Sequence, residues 1–232
     1  MENRRYPDAQ QKASPMSNSD ASFGIGYSDD VVAVLRNTYM LLGMTLAFSA
    51  FVAWMSMDAA YPGPIITIAV YLGLLFVTYK LQNSAWGILS TFALTGFMGY
   101  TLGPMIGAFA AAEAMGIVNL ALSMTAVTFV GLSVFTLVTR KDFSFLSGFI
   151  MIGFLVLLAG IVANIFLQIP ALQLAISAGV TLFAGACILF QTSAIIHGGE
   201  RNYIMATIGL YVAIYNLFVS LLHLLMAFSG DE

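Results

Sequence analysis

The chain has 232 residues, 60% of them hydrophobic and only 8% charged, with a formal net charge of −3. Soluble domains carry charge on roughly a quarter of their residues, so the composition excludes a water-soluble fold and predicts an integral membrane protein. No basic cluster offers a nucleic-acid surface. The single cysteine, Cys187, excludes an internal disulfide and argues against a cysteine-based zinc site.

Residues 1–30 are rich in Ser, Asp, Asn, Gln and Gly and lack the apolar core of a signal peptide. They read as a disordered tail that does not pack, leaving 31–232 as the membrane domain. Beyond the tail, charges punctuate the chain into uncharged runs at 37–57, 59–79, 81–112, 114–139, 143–199 and 202–230. A spanning helix takes about 20 residues, so five runs hold one helix each. The run 143–199 holds two, divided at Gln168-Ile-Pro170 by a polar residue and a helix breaker. The sequence therefore predicts an all-α bundle of seven transmembrane helices, over about 37–57, 62–79, 85–109, 116–139, 145–167, 171–196 and 204–228. Six spans with one re-entrant segment is the alternative.

Seven spans gather every basic residue (Arg4, Arg5, Lys12, Arg36, Lys80, Arg140, Lys141 and Arg201) on one side. The opposite loops and the C-terminus carry only Asp58, Glu113, Asp231 and Glu232. The positive-inside rule then predicts a cytoplasmic N-terminus and a periplasmic C-terminus.

In the third span Gly99, Gly103 and Gly107 recur every four residues, with Thr95 and Ala111 extending the row, a small-residue seam for close helix packing. Pro104 beside it is expected to kink or end the helix. The sixth span places Gln173, Ser177, Thr181, Ala184, Gln191 and Thr192 on one face, and Asn164 and Gln168 lie late in the fifth. Along the last span Thr207, Tyr211 and Tyr215 share one helical sector, while Ala206, Gly209, Ala213, Asn216, Ser220 and His223 share another. Hydroxyls, an amide and an imidazole are costly against lipid. The last helix is therefore expected at the centre of the bundle. Gln191, Thr192, Tyr211, Tyr215, Asn216, Ser220 and His197 are the candidate polar interior or gate.

No Asp, Glu, Lys or Arg falls inside a predicted span, which argues against a proton-coupled carrier and against proteolysis by paired aspartates. Ser220 and His223 sit side by side on one helix without a nucleophile motif, so no catalytic residue is assigned and the chain is expected not to be an enzyme. His197 precedes Gly198-Gly199 and reads as a helix cap, with pH sensing as the sharper alternative. No cofactor or metal site is expected from two histidines so far apart.

Several motifs occur in order. They are Gly87-Ile-Leu-Ser90, Gly96-Phe-Met-Gly99, Leu102-Gly103-Pro104 and Thr125-Ala-Val-Thr-Phe129, then Arg140-Lys-Asp-Phe-Ser-Phe-Leu146, Ala163-Asn-Ile-Phe166 and Tyr211 with Asn216-Leu-Phe218. From Val34 to Phe228 this run resembles the Bax inhibitor-1 family. Leu35-Arg-Asn-Thr-Tyr39, Phe190-Gln-Thr-Ser193 and Ile195-Ile-His-Gly-Gly-Glu200 are similar to its bacterial inner-membrane branch. The resemblance implies a seven-helix bundle with the last helix central. It implies association with the ATP-dependent membrane protease FtsH and its membrane-associated regulators in the lipid bilayer, with entry into the protease through the N-terminal tail. For other members it implies a pH-sensitive Ca2+ leak closed by two aspartates. Here the matching positions are Gln191 and Ala213, neither of which ionises, so the carboxylate mechanism does not transfer.

Overall fold

The computed structural model describes residues 27–229. Its seven helices are α1 (Asp29–Met55), α2 (Pro64–Leu81), α3 (Ala85–Ala111), α4 (Met115–Thr139), α5 (Leu146–Leu167), α6 (Pro170–Ile196) and α7 (Tyr203–Ser229). All seven are long and apolar enough to cross a membrane, and the all-helical architecture agrees with the sequence. Residues 1–26 of the expected tail lie outside the described residues.

The largest departure is at the start. The charge-free run begins at residue 37, but α1 begins at Asp29, so residues 27–30 are not part of a tail. Asp29 and Asp30 occupy the first turn of α1, where carboxylates are stabilised by the helix dipole. A helix of 27 residues is about 40 Å long at 1.5 Å per residue. The hydrocarbon core is about 30 Å thick. α1 therefore extends past the core at its N-terminal end, where it carries Arg36, and α2 carries Lys80 in its last turn, whereas α3 to α7 lie wholly within their charge-free runs. Tyr27 fixes the entrance to α1 by donating its hydroxyl to the Leu137 carbonyl at 2.9 Å and placing its ring 4.5 Å from the Arg140 guanidinium.

The division at 168–170 is as the sequence predicts. Gln168 takes a left-handed conformation (φ 51°) that ends α5, and Pro170 opens α6. Asn164 and Gln173 serve this turn. The Asn164 amide donates to the Gln173 side-chain oxygen at 2.9 Å, and its own oxygen accepts the Ile169 N–H at 3.0 Å.

Pro104 does not end α3, which runs on to Ala111. A proline frees the carbonyl four residues before it, here that of Tyr100. The Ser56 hydroxyl, just past the end of α1, donates to the Val52 carbonyl at 2.8 Å and lies 3.3 Å from the Tyr100 carbonyl. The glycine seam lies along α1. A Cβ at Gly99 would meet the Ser49 carbonyl, one at Gly103 would lie 2.7 Å from the Ala53 carbonyl, and one at Gly107 would meet the Met57 carbonyl. Because residues 49 to 57 track residues 99 to 107 in the same sense, α1 and α3 run parallel with their backbones in direct contact.

Burial is uneven. α7 packs on α1, α3, α4 and α6 and carries a long series of buried side chains, from Ile204 through Leu210, Tyr211 and Leu217 to Leu222. α5 has none and α2 only Thr78; α2 rests on α3 and α5 on α6. Those two helices leave most of their apolar side chains exposed, as lipid-facing spans do.

Three contacts fix which turns share an end of the bundle. Tyr27 joins the start of α1 to the end of α4. The Ser193 hydroxyl near the end of α6 accepts the Phe143 N–H of the α4–α5 turn at 2.9 Å. Asn202, before α7, donates to the Gln82 carbonyl and to the Asn83 side-chain oxygen of the α2–α3 turn at 3.1 and 3.0 Å. Lys80, Arg140, Lys141 and Arg201 therefore lie at one end, and Asp58 and Glu113 lie in the turns at the other.

Candidate functional site

The polar residues of α7 fall on two faces with different chemistry. The first face meets α1 and α3. Thr207 donates to the Tyr203 carbonyl at 2.7 Å and lies 3.3 Å from the Thr38 carbonyl. Tyr211 donates to the Thr95 carbonyl at 3.1 Å, and its oxygen is 2.6 Å from the Ser49 hydroxyl. Since the tyrosine proton is used on Thr95, Ser49 is the donor to Tyr211. Tyr215 lies 3.1 Å from the Thr101 hydroxyl. Thr101 spends its proton on the Met98 carbonyl at 2.7 Å, so Tyr215 donates to Thr101. The sector Thr207, Tyr211, Tyr215 is thus a ladder of satisfied hydrogen bonds. Its partners Ser49, Thr95 and Thr101 were not singled out as its partners by sequence reasoning. The available signal was the four-residue spacing of Thr45 with Ser49 and of Thr91 with Thr95.

The second face meets α6. Gln191, Gly209, Ala213 and Asn216 line a cavity of about 360 Å³ with Cys187, and Glu200 closes one end of it. Gly209 lets the Gln191 side-chain amide lie directly against the α7 backbone, in space that a Cβ would occupy. Among the described residues neither Gln191 nor Asn216 has a hydrogen-bond partner within the protein, so these amides are open to whatever fills the cavity. Asn216 also lines a cavity of about 400 Å³ toward the other end of α7, with Asn164, Gln173, Ser220 and His223. Glu200 in turn lines a cleft of about 570 Å³ at the basic end, with Asp30, His197 and Arg201. Three polar spaces therefore follow α6 and α7 in series, sharing Glu200 at one junction and Asn216 at the other.

The candidate residues are distributed over these places. Gln191 and Asn216 share the central cavity, Ser220 belongs to the outer one, and Tyr211 and Tyr215 lie on the ladder. Thr192 is buried, 3.5 Å from the Tyr39 hydroxyl of α1. His197 is exposed at the end of α6 and fills the capping role. Its Nδ1 is 2.9 Å from the Ser193 carbonyl, which identifies Nδ1 as the protonated nitrogen. Gly198 follows in a left-handed conformation (φ 73°), as a helix C-terminus favours. Beside it Asp142 is held below the usual carboxylate range, chiefly because its oxygen accepts the Ser144 N–H, with a smaller contribution from His197. Gln191 and Ala213, the two positions at which the resemblance led to an expected aspartate pair, both line this cavity. Among the described residues no three His, Cys, Asp or Glu side chains converge as a metal site would need.

This fold and site define a multi-pass helical membrane protein with a polar interior between its last two helices. Residues 31–230 match the model of the family described as inhibitor of apoptosis-promoting Bax1, and the chain belongs to that family. Among its relatives, an uncharacterized protein of Pseudomonas aeruginosa is 58% identical over 88% of this chain and 93% of its own length. The modulator of FtsH protease YccA of Escherichia coli strain K12 is 53% identical over 85% of this chain and 91% of its own. An uncharacterized membrane protein of Vibrio cholerae is 43% identical over 86% and 91%. Seven apolar helices and relatives so described support a multi-pass protein of the bacterial inner membrane.

Proposed function

We propose that this protein is a non-enzymatic inner-membrane partner of FtsH that modulates its proteolysis of membrane proteins and is itself drawn into the protease by its N-terminal segment. The observation that carries the reading is the 53% identity to the FtsH modulator YccA over nearly the whole of both chains. The distribution of charge agrees with it. Lys80, Arg140, Lys141 and Arg201 lie at the end that carries the start of α1, so the positive-inside rule favours a cytoplasmic location for that end and a periplasmic C-terminus. The polar N-terminal segment is thereby presented on the cytoplasmic side. We take α7 as the central helix, on the strength of its four packing partners and its buried polar ladder.

The test is the half-life of the protein in cells, with and without FtsH, for the intact chain and for one lacking residues 1–26. The cut stops before Tyr27 because that residue anchors α1. A half-life that is short only with FtsH and only with the segment, together with slowed degradation of other FtsH substrates by the truncated form, is the expected result. Equal half-lives in all four conditions refute it.

The series of polar spaces sharing Glu200 and Asn216 favours a second reading, a Ca2+ or other cation leak along α6 and α7. Flux into liposomes across a range of pH tests it, and no flux at any pH removes it.

A further inference from the structure

A fourth space opens sideways, into the region of the bilayer. It is a cleft of about 420 Å³ between α2 and α5, lined by Phe97 of α3, Phe154 and Leu158 of α5 and Phe183 of α6, with Tyr71, Asn216 and the mutually bonded Thr101 and Tyr215 as its polar lining. Phe154 and Leu158 are exposed, so the mouth faces the lipid rather than the protein interior. Its lining is polar at an unusual depth. Asn216 is the fourteenth residue of the 27 in α7, about 20 Å from either end at 1.5 Å per residue, which is the middle of the membrane. Among the described residues neither the Asn216 amide nor the Tyr71 hydroxyl has a hydrogen-bond partner in the protein, although an unpaired polar group there costs several kcal/mol.

We propose that this cleft binds a bilayer-dissolved molecule with an apolar tail and a neutral, carbonyl-bearing ring, the chemistry of a quinone. Three observations select that class. The volume lies within the 300–1,000 Å³ typical of small-molecule sites. The lining supplies an N–H donor from Asn216 and an O–H donor from Tyr71, which carbonyl oxygens accept and an alkyl chain does not. A phospholipid holds its ester carbonyls at the interface, some 15 Å from the midplane, and cannot bring them to Asn216. The inference goes beyond the FtsH reading and does not depend on it.

The test uses the full chain in nanodiscs and two photoreactive probes, a decyl-tailed benzoquinone and a decyl alkane of the same length without carbonyls. Saturable labelling by the quinone probe at Phe154, Leu158 or Phe183, displaced by unlabelled decylbenzoquinone, is expected; the alkane probe labels the lipid-facing helices diffusely without saturating. Asn216→Leu raises the half-saturation concentration about tenfold, the worth of one buried hydrogen bond. Leu158→Trp, on the peripheral α5 where no core contact is lost, abolishes saturable labelling and decides the matter should Asn216→Leu fail to fold. Saturation by the alkane probe at the same residues identifies an acyl-chain groove only and overturns the proposal. So does quinone labelling that cannot be displaced, or that is unchanged in both variants.

Discussion

Gly103→Ala tests whether the α1–α3 interface is set by backbone contact. The added methyl would lie 2.7 Å from the Ala53 carbonyl and press on Ser56. An ordinary carbon–oxygen contact needs about 3.4 Å or more, so α1 has to retreat by several tenths of an ångström, and backbone cannot yield as a side-chain tip can. Overpacking of this kind costs about 1–3 kcal/mol. The displacement also moves Ser56 away from the Tyr100 carbonyl freed by Pro104. Against this, alanine gains up to about 1 kcal/mol over glycine in helix propensity. Gly131 of α4 isolates that gain, since a Cβ there meets nothing within 4 Å. Gly131→Ala should therefore stabilise slightly and Gly103→Ala destabilise, with a difference of about 1–3 kcal/mol in which propensity cancels. Reversible unfolding of both variants in mixed micelles measures it. Equal effects of the same sign would show that the seam tolerates a side chain and that the parallel packing of α1 and α3 is not set by its glycines.

Tyr211→Phe removes a donor to Thr95 and an acceptor for Ser49, a loss of about 0.5–1.5 kcal/mol given that membrane hydrogen bonds average near 0.6; a double-mutant cycle with Ser49→Ala should show coupling, and additive effects would place the two hydroxyls out of contact. Gln168→Gly relieves a left-handed residue (φ 51°) and should raise the unfolding midpoint by the equivalent of about 1 kcal/mol, whereas a loss would mean that its side chain contributes more than its backbone costs. For Asp142 the folded pKa lies below the ordinary 3.8 because the carboxylate accepts the Ser144 N–H. The sign follows: its support for the α4–α5 turn is complete above the unfolded pKa and fades as pH falls through the folded one. A carboxyl NMR titration of Asp142 with a midpoint at or above 3.8 would contradict the hydrogen bond.

The number of helices was legible because charge punctuates this chain, and Gln168 and Pro170 carry local chemistry that ends one helix and starts the next. Helix ends were less legible. Residues 29–36 are helical but charged, and composition alone assigns such a stretch to the water. Pro104 was misleading as a possible helix end, since α3 continues past it to Ala111 packed along α1, a tertiary contact that local sequence does not carry. The same holds for the site. Helical periodicity placed Thr207, Tyr211 and Tyr215 on one sector, but it could not say that α1 and α3 supply their partners. The proximity of Gln191 to Gly209 depends on the relative rotation of α6 and α7, which no local pattern encodes.

The two faces of α7 divide the work of the interior. Toward α1 and α3 its tyrosines are hydrogen-bonded, so any movement of that face breaks several bonds at once in a medium with no water to replace them. Toward α6 its residues are small or carry unpaired amides, and a change of occupancy there breaks no protein hydrogen bond. A molecule held against the α6 face therefore leaves the hydrogen-bonded ladder intact. There Gln191 and Ala213 look into one cavity and present an amide and a methyl. Neither changes charge at any physiological pH, so protonation cannot draw these positions together or drive them apart. A cation leak along this route would follow the membrane's driving force without a carboxylate switch at positions 191 and 213. Pairing the flux assay with Gln191→Asp and Ala213→Asp then separates a family geometry that has lost its switch from a cavity adapted to a different occupant.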